Sequence, residues 1–402
     1  MLLTLALGAI FAALMALVAG PARQAEATFP GANGKIVFVS QRTTGTGVDN
    51  PTGDSEVFTV NPDGTGLKQL TFNTGDDREP VLSPDGRKVA YTSQGDSTTN
   101  PGGDYEVYVV NAADGSDKKN LTNNTSVNDS TPAFSPDGTK IAYESDGIQT
   151  SNPEGDNEVY VMNALDGSGQ KNLSNNGVGV REYGAVFSPD SKKIAYTSYG
   201  EQTSNLQGDC EVYIVNALDG SGQKNLTNNG AGISDYGAVF SPGGQKIAYT
   251  SSGVQTSNSQ GDDEVYVMSA LDGSGKKNFS NNGGGIYDYV PAFSPDGTKI
   301  AYTSSGVQTS NSQGDREIYR MSALDGSGKR NLSNNGSSVN DSSPTFSPDS
   351  KKVAYLSSGK QTSNPEGDYE VYRMNTLDGL GKKNLSNDAG YDYYTDWGVQ
   401  GM

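Results

Sequence analysis

Histidine is absent from all 402 residues, and the chain holds one cysteine, Cys210, and one tryptophan, Trp397. Without histidine, neither a Ser-His-Asp nor a Cys-His nucleophile system can form, and no histidine-ligated zinc or manganese centre can be built. A lone thiol forbids an intramolecular disulfide, so the fold rests on packing and strand pairing. Positive charge is scarce: 29 Lys and Arg against 47 Asp and Glu give a net charge of −18. On overall charge, nucleic acid and anionic membrane are poor partners. Helical periodicity of useful length is missing beyond residue 27. The composition leaves carboxylate-only acid/base chemistry open, because a glycosidase needs no more than a suitable acid pair.

Residues 2–19 are almost wholly apolar, with no Lys or Arg before them and small residues after them at Ala19, Ala25 and Ala27. Residues 1–27 therefore read as a secretory signal peptide, the alternative being an uncleaved membrane anchor. Either reading places the rest of the chain outside the cytosol, secreted or periplasmic by bacterial-type export. Asn-x-Ser/Thr triplets recur at Asn120, Asn172, Asn225, Asn278, Asn331 and Asn384, and one duplicated turn accounts for all six.

What fills residues 28–402 is repetition. Ser-Pro-Asp starts at Ser83, Ser135, Ser188, Ser294 and Ser347, with Ser241-Pro242-Gly243 as a worn copy, a period of 52 or 53 residues. Each unit carries four short segments rich in residues that suit a pleated surface. In the clearest copy they are Val290 to Ser294, Lys299 to Thr303, Glu317 to Met321 and Lys329 to Ser333, joined by Asp-Gly turns that favour antiparallel meanders. Second segments begin at Lys35, Lys88, Lys140, Lys193, Lys246, Lys299 and Lys352, so seven units are present. Units of this size cannot cover their apolar faces alone, and radial closure hides the sheet edges. The expected fold is all-β: a seven-bladed β-propeller of four-stranded antiparallel blades. The tail Asp392 to Gly401 lies in register with Asp129 to Gly138, which makes it a spare first strand that should pair beside the Lys35 strand and close the ring.

The pattern Pro-Ala-Phe-Ser-Pro-Asp-Gly-x-Lys-Ile-Ala-Tyr, followed by Glu-Val-Tyr-Val-Met-Asn-x-x-Asp-Gly, resembles the repeats of the TolB-type β-propeller family over essentially all of residues 29–402. Relative to the namesake of that family, the chain shows no α/β domain ahead of the propeller and has seven blades in place of six. The resemblance implies an exported, non-enzymatic, bacterial-type propeller that binds other proteins or envelope components.

Two acidic series stand at fixed register. The first is Asp77, Asp129, Glu182, Asp235, Asp288, Asp341 and Asp392, placed to ring the mouth of the central channel. Converging carboxylates there would suit Ca²⁺, with Asp129, Asp235, Asp288 and Asp341 as candidate ligands, whereas the favoured reading is a local loop cap in each blade. The second is the Asp of Gly-Asp-x-Glu, at Asp54, Asp104, Asp156, Asp209, Asp262, Asp315 and Asp368, again read as capping. No catalytic residue and no required cofactor is assigned. Tyr183, Tyr236, Tyr287 and Tyr289, with Tyr391, Tyr393 and Tyr394, gather beside the first series and carry the chemistry of sugar or peptide recognition. Departures from the repeat at Glu144, Arg181, Cys210, Gly243, Arg316, Arg320, Arg373 and Trp397 look scattered, as drift would leave them. The function that follows is a monomeric binding or scaffolding module for a protein segment or an envelope glycan, acting through the loop-rich face. The alternatives are a carboxylate-dependent glycan-active enzyme and a calcium-stabilised surface structural protein.

Overall fold

The structure is a computed structural model, and it describes residues 29–95, 100–149 and 151–400. The expected signal peptide lies outside the described residues. Twenty-eight strands form seven four-stranded antiparallel sheets arranged as a seven-bladed β-propeller. Blade 1 is Asp392–Val399, Asn33–Ser40, Glu56–Val60 and Lys68–Gln69, from the axis outward. Blades 2 to 7 follow in chain order, with inner strands Asp77–Leu82, Asp129–Phe134, Arg181–Phe187, Ser234–Phe240, Tyr287–Phe293 and Asn340–Phe346.

The second and third strands are buried on both sides: Glu106–Asn111 is buried at every residue but the last. Each blade packs against a neighbour on either face, so period-two alternation gives way to continuous apolar runs. Across every second-to-third strand pair two aromatic rings meet, Tyr91 with Tyr108 at 5.8 Å and Tyr302 with Tyr319 at 5.8 Å, and Phe38 with Phe58 does the same in blade 1. The buried apolar residues fall into seven clusters that each join two adjacent blades. One of them unites Ala133, Val159 and Leu173 of blade 3 with Phe187, Ile194 and Tyr213 of blade 4.

Two departures from the expected strand boundaries have local causes. The inner strand of blade 6 begins at Tyr287, three residues before Val290, and its pairing slips between Tyr289 and Ala292. The same slip recurs in blades 4 and 5, where Gly184 and Gly237 stand at that register, so the bulge belongs to the repeat; Val290 takes φ +54° in it, and Pro291, with no N–H for the ladder, is accommodated there. The fourth strand shortens to two residues in every blade, Arg330–Asn331 in blade 6, because Leu332 turns inward to pack in the cluster between blades 6 and 7.

The tail closes the ring as its register required. Asp392–Val399 pairs antiparallel with Asn33–Ser40, placing Trp397 opposite Ile36, and the indole is 1% exposed in the cluster shared by blades 1 and 7. A polar lock adds to it. Arg42 stands where blades 3 to 7 carry Gly147, Gly200, Gly253, Gly306 and Gly359. Its Nε lies 2.6 Å from Asp388 and its Nη2 3.4 Å from Asp392, while the guanidinium sits over Phe38 and Phe58. Deleting residues 389–402 should lower Tm sharply, and Trp397→Ala alone should cost about 3–5 kcal/mol, read by thermal or denaturant unfolding.

The Asp-Gly turns hold blades together through backbone. In blade 5, Gly273 has φ +74°, and a Cβ there would meet the carbonyl oxygen of Leu226, on the preceding blade, at 2.0 Å. Gly297 has a similar φ of +70°, but the nearest atom to such a Cβ is 4.0 Å away. Gly273→Ala should therefore destabilise clearly more than Gly297→Ala, for which conformational strain of about 1 kcal/mol is expected, compared by urea unfolding.

Candidate functional site

Antiparallel order puts the fourth-to-first and second-to-third strand loops on one face of the ring and the Asp-Gly turns on the other. The first acidic series stands where the inner strands leave the loop face, but its members do not line an open channel. Asp77, Asp129, Glu182, Asp235, Asp288, Asp341 and Asp392 are all 0% exposed, which overturns the expected ring of ligands around the mouth. Six of the acids are folded back into their blade interfaces by an asparagine from the preceding loop: Asn73 reaches Asp77 at 2.9 Å, Asn124 reaches Asp129 at 2.6 Å, Asn176 reaches Glu182 at 2.6 Å, and Asn229, Asn282 and Asn335 reach Asp235, Asp288 and Asp341. The four calcium candidates thus lie in four separate interfaces, and the structure does not bring them together. In blade 1 the partner of Asp392 is Arg42. Asp104, Asp156, Asp209 and Asp262 of the second series cap the following loop through backbone N–H groups, as Gly179 with Asp156 at 3.0 Å and Gly285 with Asp262 at 3.0 Å, whereas Asp54 accepts the Thr52 hydroxyl. Among the described residues, Asp368, Glu370 and Asp388 are the one set of three acids whose oxygens lie within 4.8 Å of one another. Arg42 already supplies positive charge there.

Behind each first-series acid sits the third-strand Glu of the preceding blade, which accepts a hydroxyl from the loop after it, as Glu106 does from Thr122. These are buried carboxylate pairs. Burial pushes Glu106 up to about 8 and Asp129 to about 6, although Thr122 and Ser145 hydroxyls favour their charged forms. Asp235 is raised to about 8, Asp288 to about 7 and Glu317 to about 7 by the same loss of water. Burial first, then repulsion from Glu158, raises Glu182. Lys276, Lys329 and Lys382 offset part of this beside the pairs of blades 4 to 7, whereas blades 3 and 4 carry Gln170 and Gln223 at the same register.

The open part of the mouth is built from other positions. The two residues after each first-series acid are partly exposed in blades 2 to 7, and the variable residue of Gly-Asp-x-Glu adjoins them. Here the repeats stop being alike. In blade 4 the Tyr183 hydroxyl lies 3.2 Å from Cys210 Sγ. In blade 5 Tyr236 bonds Asp263, whose carboxyl is pushed up to about 6 by burial. Tyr289 stands beside Arg316 in blade 6. Arg78 stacks on Tyr105 at 5.1 Å in blade 2, and Tyr393 bonds Ser55 in blade 1. Glu144 replaces the usual Thr in blade 3. It accepts the Gly184 N–H at 2.7 Å and the Asn157 amide at 3.1 Å, and burial raises it to about 7. Glu79 does a similar service from blade 2, accepting Thr92 and the Thr131 N–H, each at 2.8 Å.

Of the tyrosines expected beside the acids, Tyr183, Tyr236 and Tyr289 stand at this mouth, whereas Tyr287, at the start of its strand, and Tyr391, in the loop before the closing strand, are 46% and 55% exposed. Of the departures that looked scattered, Cys210 and Arg316 adjoin the mouth, and Glu144 lies buried beneath it, holding the Gly184 N–H. Arg320 and Arg373 instead grip neighbouring turns on the far face through Leu377 and Pro62 carbonyls. Sequence reasoning passed over Arg78, Glu79, Asp263 and Arg42; the available signal was variability at one register in an otherwise constant unit.

With this geometry the molecule is defined as a closed, seven-bladed propeller with an asymmetric mouth. Residues 184–364 match the TolB beta propeller domain family. Dipeptidyl-peptidase 5 of Porphyromonas gingivalis is 29% identical over 321 residues, 69% of this chain and 44% of that protein. The Tol-Pal system protein TolB of Francisella tularensis subsp. tularensis is 30% identical over 296 residues, 73% of this chain and 58% of that protein. The chain thus spans about half the length of these curated relatives. Among solved structures, an oligogalacturonate lyase in complex with manganese superposes with a TM-score of 0.60 at 14% identity, covering 87% of this chain and 89% of that one, a likeness of fold.

The buried acids make stability depend on pH in a defined direction. A carboxyl raised in the fold contributes stability that is fully present below its unfolded value, near 4, and is lost as pH rises through the folded values of about 6 to 8. The turn aspartates run the other way: Asp137 and Asp296 are lowered by hydrogen bonds, and Asp272 is lowered to about 2, so their contribution fades below pH 4. Tm measured from pH 3 to 9 should peak between about 4 and 5.5 and fall by roughly 5 °C or more by pH 8.

Proposed function

We propose that this chain is an exported, non-enzymatic binding module that receives a protein segment at the mouth on its loop face. The observation that carries this reading is where the repeats diverge. Seven nearly uniform units differ most around one opening, and a ligand without seven-fold symmetry can be recognised only by such differences. The mouth offers flat phenol rings, both signs of charge and partly desolvated carboxyls, a set suited to an extended polypeptide with polar and basic side chains. A rigid scaffold carrying variable loop residues is a common basis of recognition. The Francisella relative is a Tol-Pal system protein, which favours a protein partner over a small molecule.

A second reading rests on Glu144 and Asp263. Burial raises both, to about 7 and about 6, into the range in which a carboxyl can serve a carboxylate-dependent glycan-active enzyme as general acid. Two measurements separate the readings. With the ring as bait for extracellular or periplasmic proteins, Asp263→Asn with Arg316→Ala should weaken the captured partner at least tenfold, while Lys171→Ala at the outer rim should leave its affinity unchanged. Turnover of cell-wall or plant polysaccharide that disappears in both Glu144→Gln and Asp263→Asn would establish the enzymatic reading instead.

A further inference from the structure

The face opposite the mouth carries a pattern that neither the acids nor the binding site uses. The turn between third and fourth strands places Leu165, Leu218, Leu271, Leu324 and Leu377 at one register in five consecutive blades, and they are 69–86% exposed. Leu380 adds a further exposed side chain in blade 7. Turns of equal length at equal register in a ring of equivalent blades lie at one height, so these leucines define a flat apolar arc.

Charge on this face is opposite to that of the chain as a whole. Every fourth strand opens on Lys or Arg, and the second strands of blades 2 to 7 open on Lys. Lys119 Nζ reaches the Leu165 carbonyl at 3.1 Å, and Arg330 the Leu377 and Asp378 carbonyls at 3.3 and 3.1 Å, so the cations surround the leucines. Each of the five leucines at one register is followed by an aspartate, from Asp166 to Asp378, and the Ser-Pro-Asp turns add more, yet Lys and Arg still outnumber the acids on this face, although the chain's net charge is −18. The acidic excess belongs to the loop face and the blade interfaces. Strands of six or seven residues separate the two faces by about 20 Å, more than twice the screening length of about 8 Å at physiological salt. Overall charge, which argued against an anionic membrane, is therefore the wrong measure for this face.

The chain enters the ring on the same side. The Gly31 N–H donates to the carbonyl of Pro348, in the first-to-second-strand turn of blade 7, at 3.3 Å, so the first described residues lie against the leucine-bearing face. We propose that this face docks on an anionic lipid bilayer, with the leucine arc in the interfacial region and the lysines at the headgroups. Apolar area and electrostatic attraction together set the strength of such interfacial binding. A second copy seated face to face would oppose like charges, and a rounded protein would touch only part of a flat arc.

The full chain tests this with a polarity-sensitive fluorophore on a single thiol, in a Cys210→Ser background. A label at Leu271→Cys should shift to the blue with phosphatidylglycerol vesicles, at least threefold less with phosphatidylcholine vesicles or in high salt. A label at Val254→Cys on the loop face should shift little. Leu165, Leu218 and Leu324 are exposed enough that changing all three to Asp should leave Tm unaltered while halving the Leu271→Cys shift or more. Equal shifts at the two positions, a shift that survives the triple change, or a concentration-dependent shift without vesicles, which would mean a second copy, would each overturn the proposal.

Discussion

No blade of this ring can cover its own two faces. Each four-stranded sheet is too thin to enclose a core, and the apolar clusters form only between neighbours. Stability is thus a property of seven interfaces in series, and the series has no ends only because the tail supplies the innermost strand of blade 1. In a ring, one open interface exposes two sheets at once. That is why the closure site departs from the repeat: it combines Trp397 with the Arg42, Asp388 and Asp392 group, where other interfaces manage with phenylalanine, or Leu82 between blades 1 and 2, and asparagine.

The same interfaces contain carboxylate pairs that burial keeps partly protonated near neutrality. Their persistence in every blade fits a loop that must turn sharply from outer strand to inner strand. A Glu and an Asp together take up amide, hydroxyl and backbone donors that would otherwise be orphaned, as Glu106 does with Thr122 and the Asn124 N–H. The cost is electrostatic, and it differs between interfaces with lysine nearby and those with glutamine.

Much of the architecture was legible in the sequence because it depends on residues whose meaning is local. Ser-Pro-Asp-Gly and Leu-Asp-Gly mark turns, the β-branched and aromatic runs mark strands, and the register of Asp392 to Gly401 by itself identifies the closing strand. Strand ends were less legible. The two-residue outer strand follows from where Leu332 finds partners, and the early start of Tyr287–Phe293 from pairing that resumes on the loop side of a bulge shared with blades 4 and 5; both are tertiary facts. The site was half legible. Register placed seven acids near the axis, but only the fold reveals that asparagines, or Arg42 in blade 1, turn them inward and that Arg78 and Asp263, unremarkable one by one, flank the same opening above the buried Glu144. In repeated chains, shared residues report on scaffold and the exceptions on recognition.

The brevity of the outer strands has a consequence for life in a crowded compartment. A long, straight perimeter strand would offer a row of free amide and carbonyl groups onto which another molecule could zip, strand upon strand, into a fibre. Two-residue strands such as Arg330–Asn331, each opening on a charged side chain, leave no segment long enough to template that growth. A chain with one strand of every blade on its rim is in this way kept from polymerising.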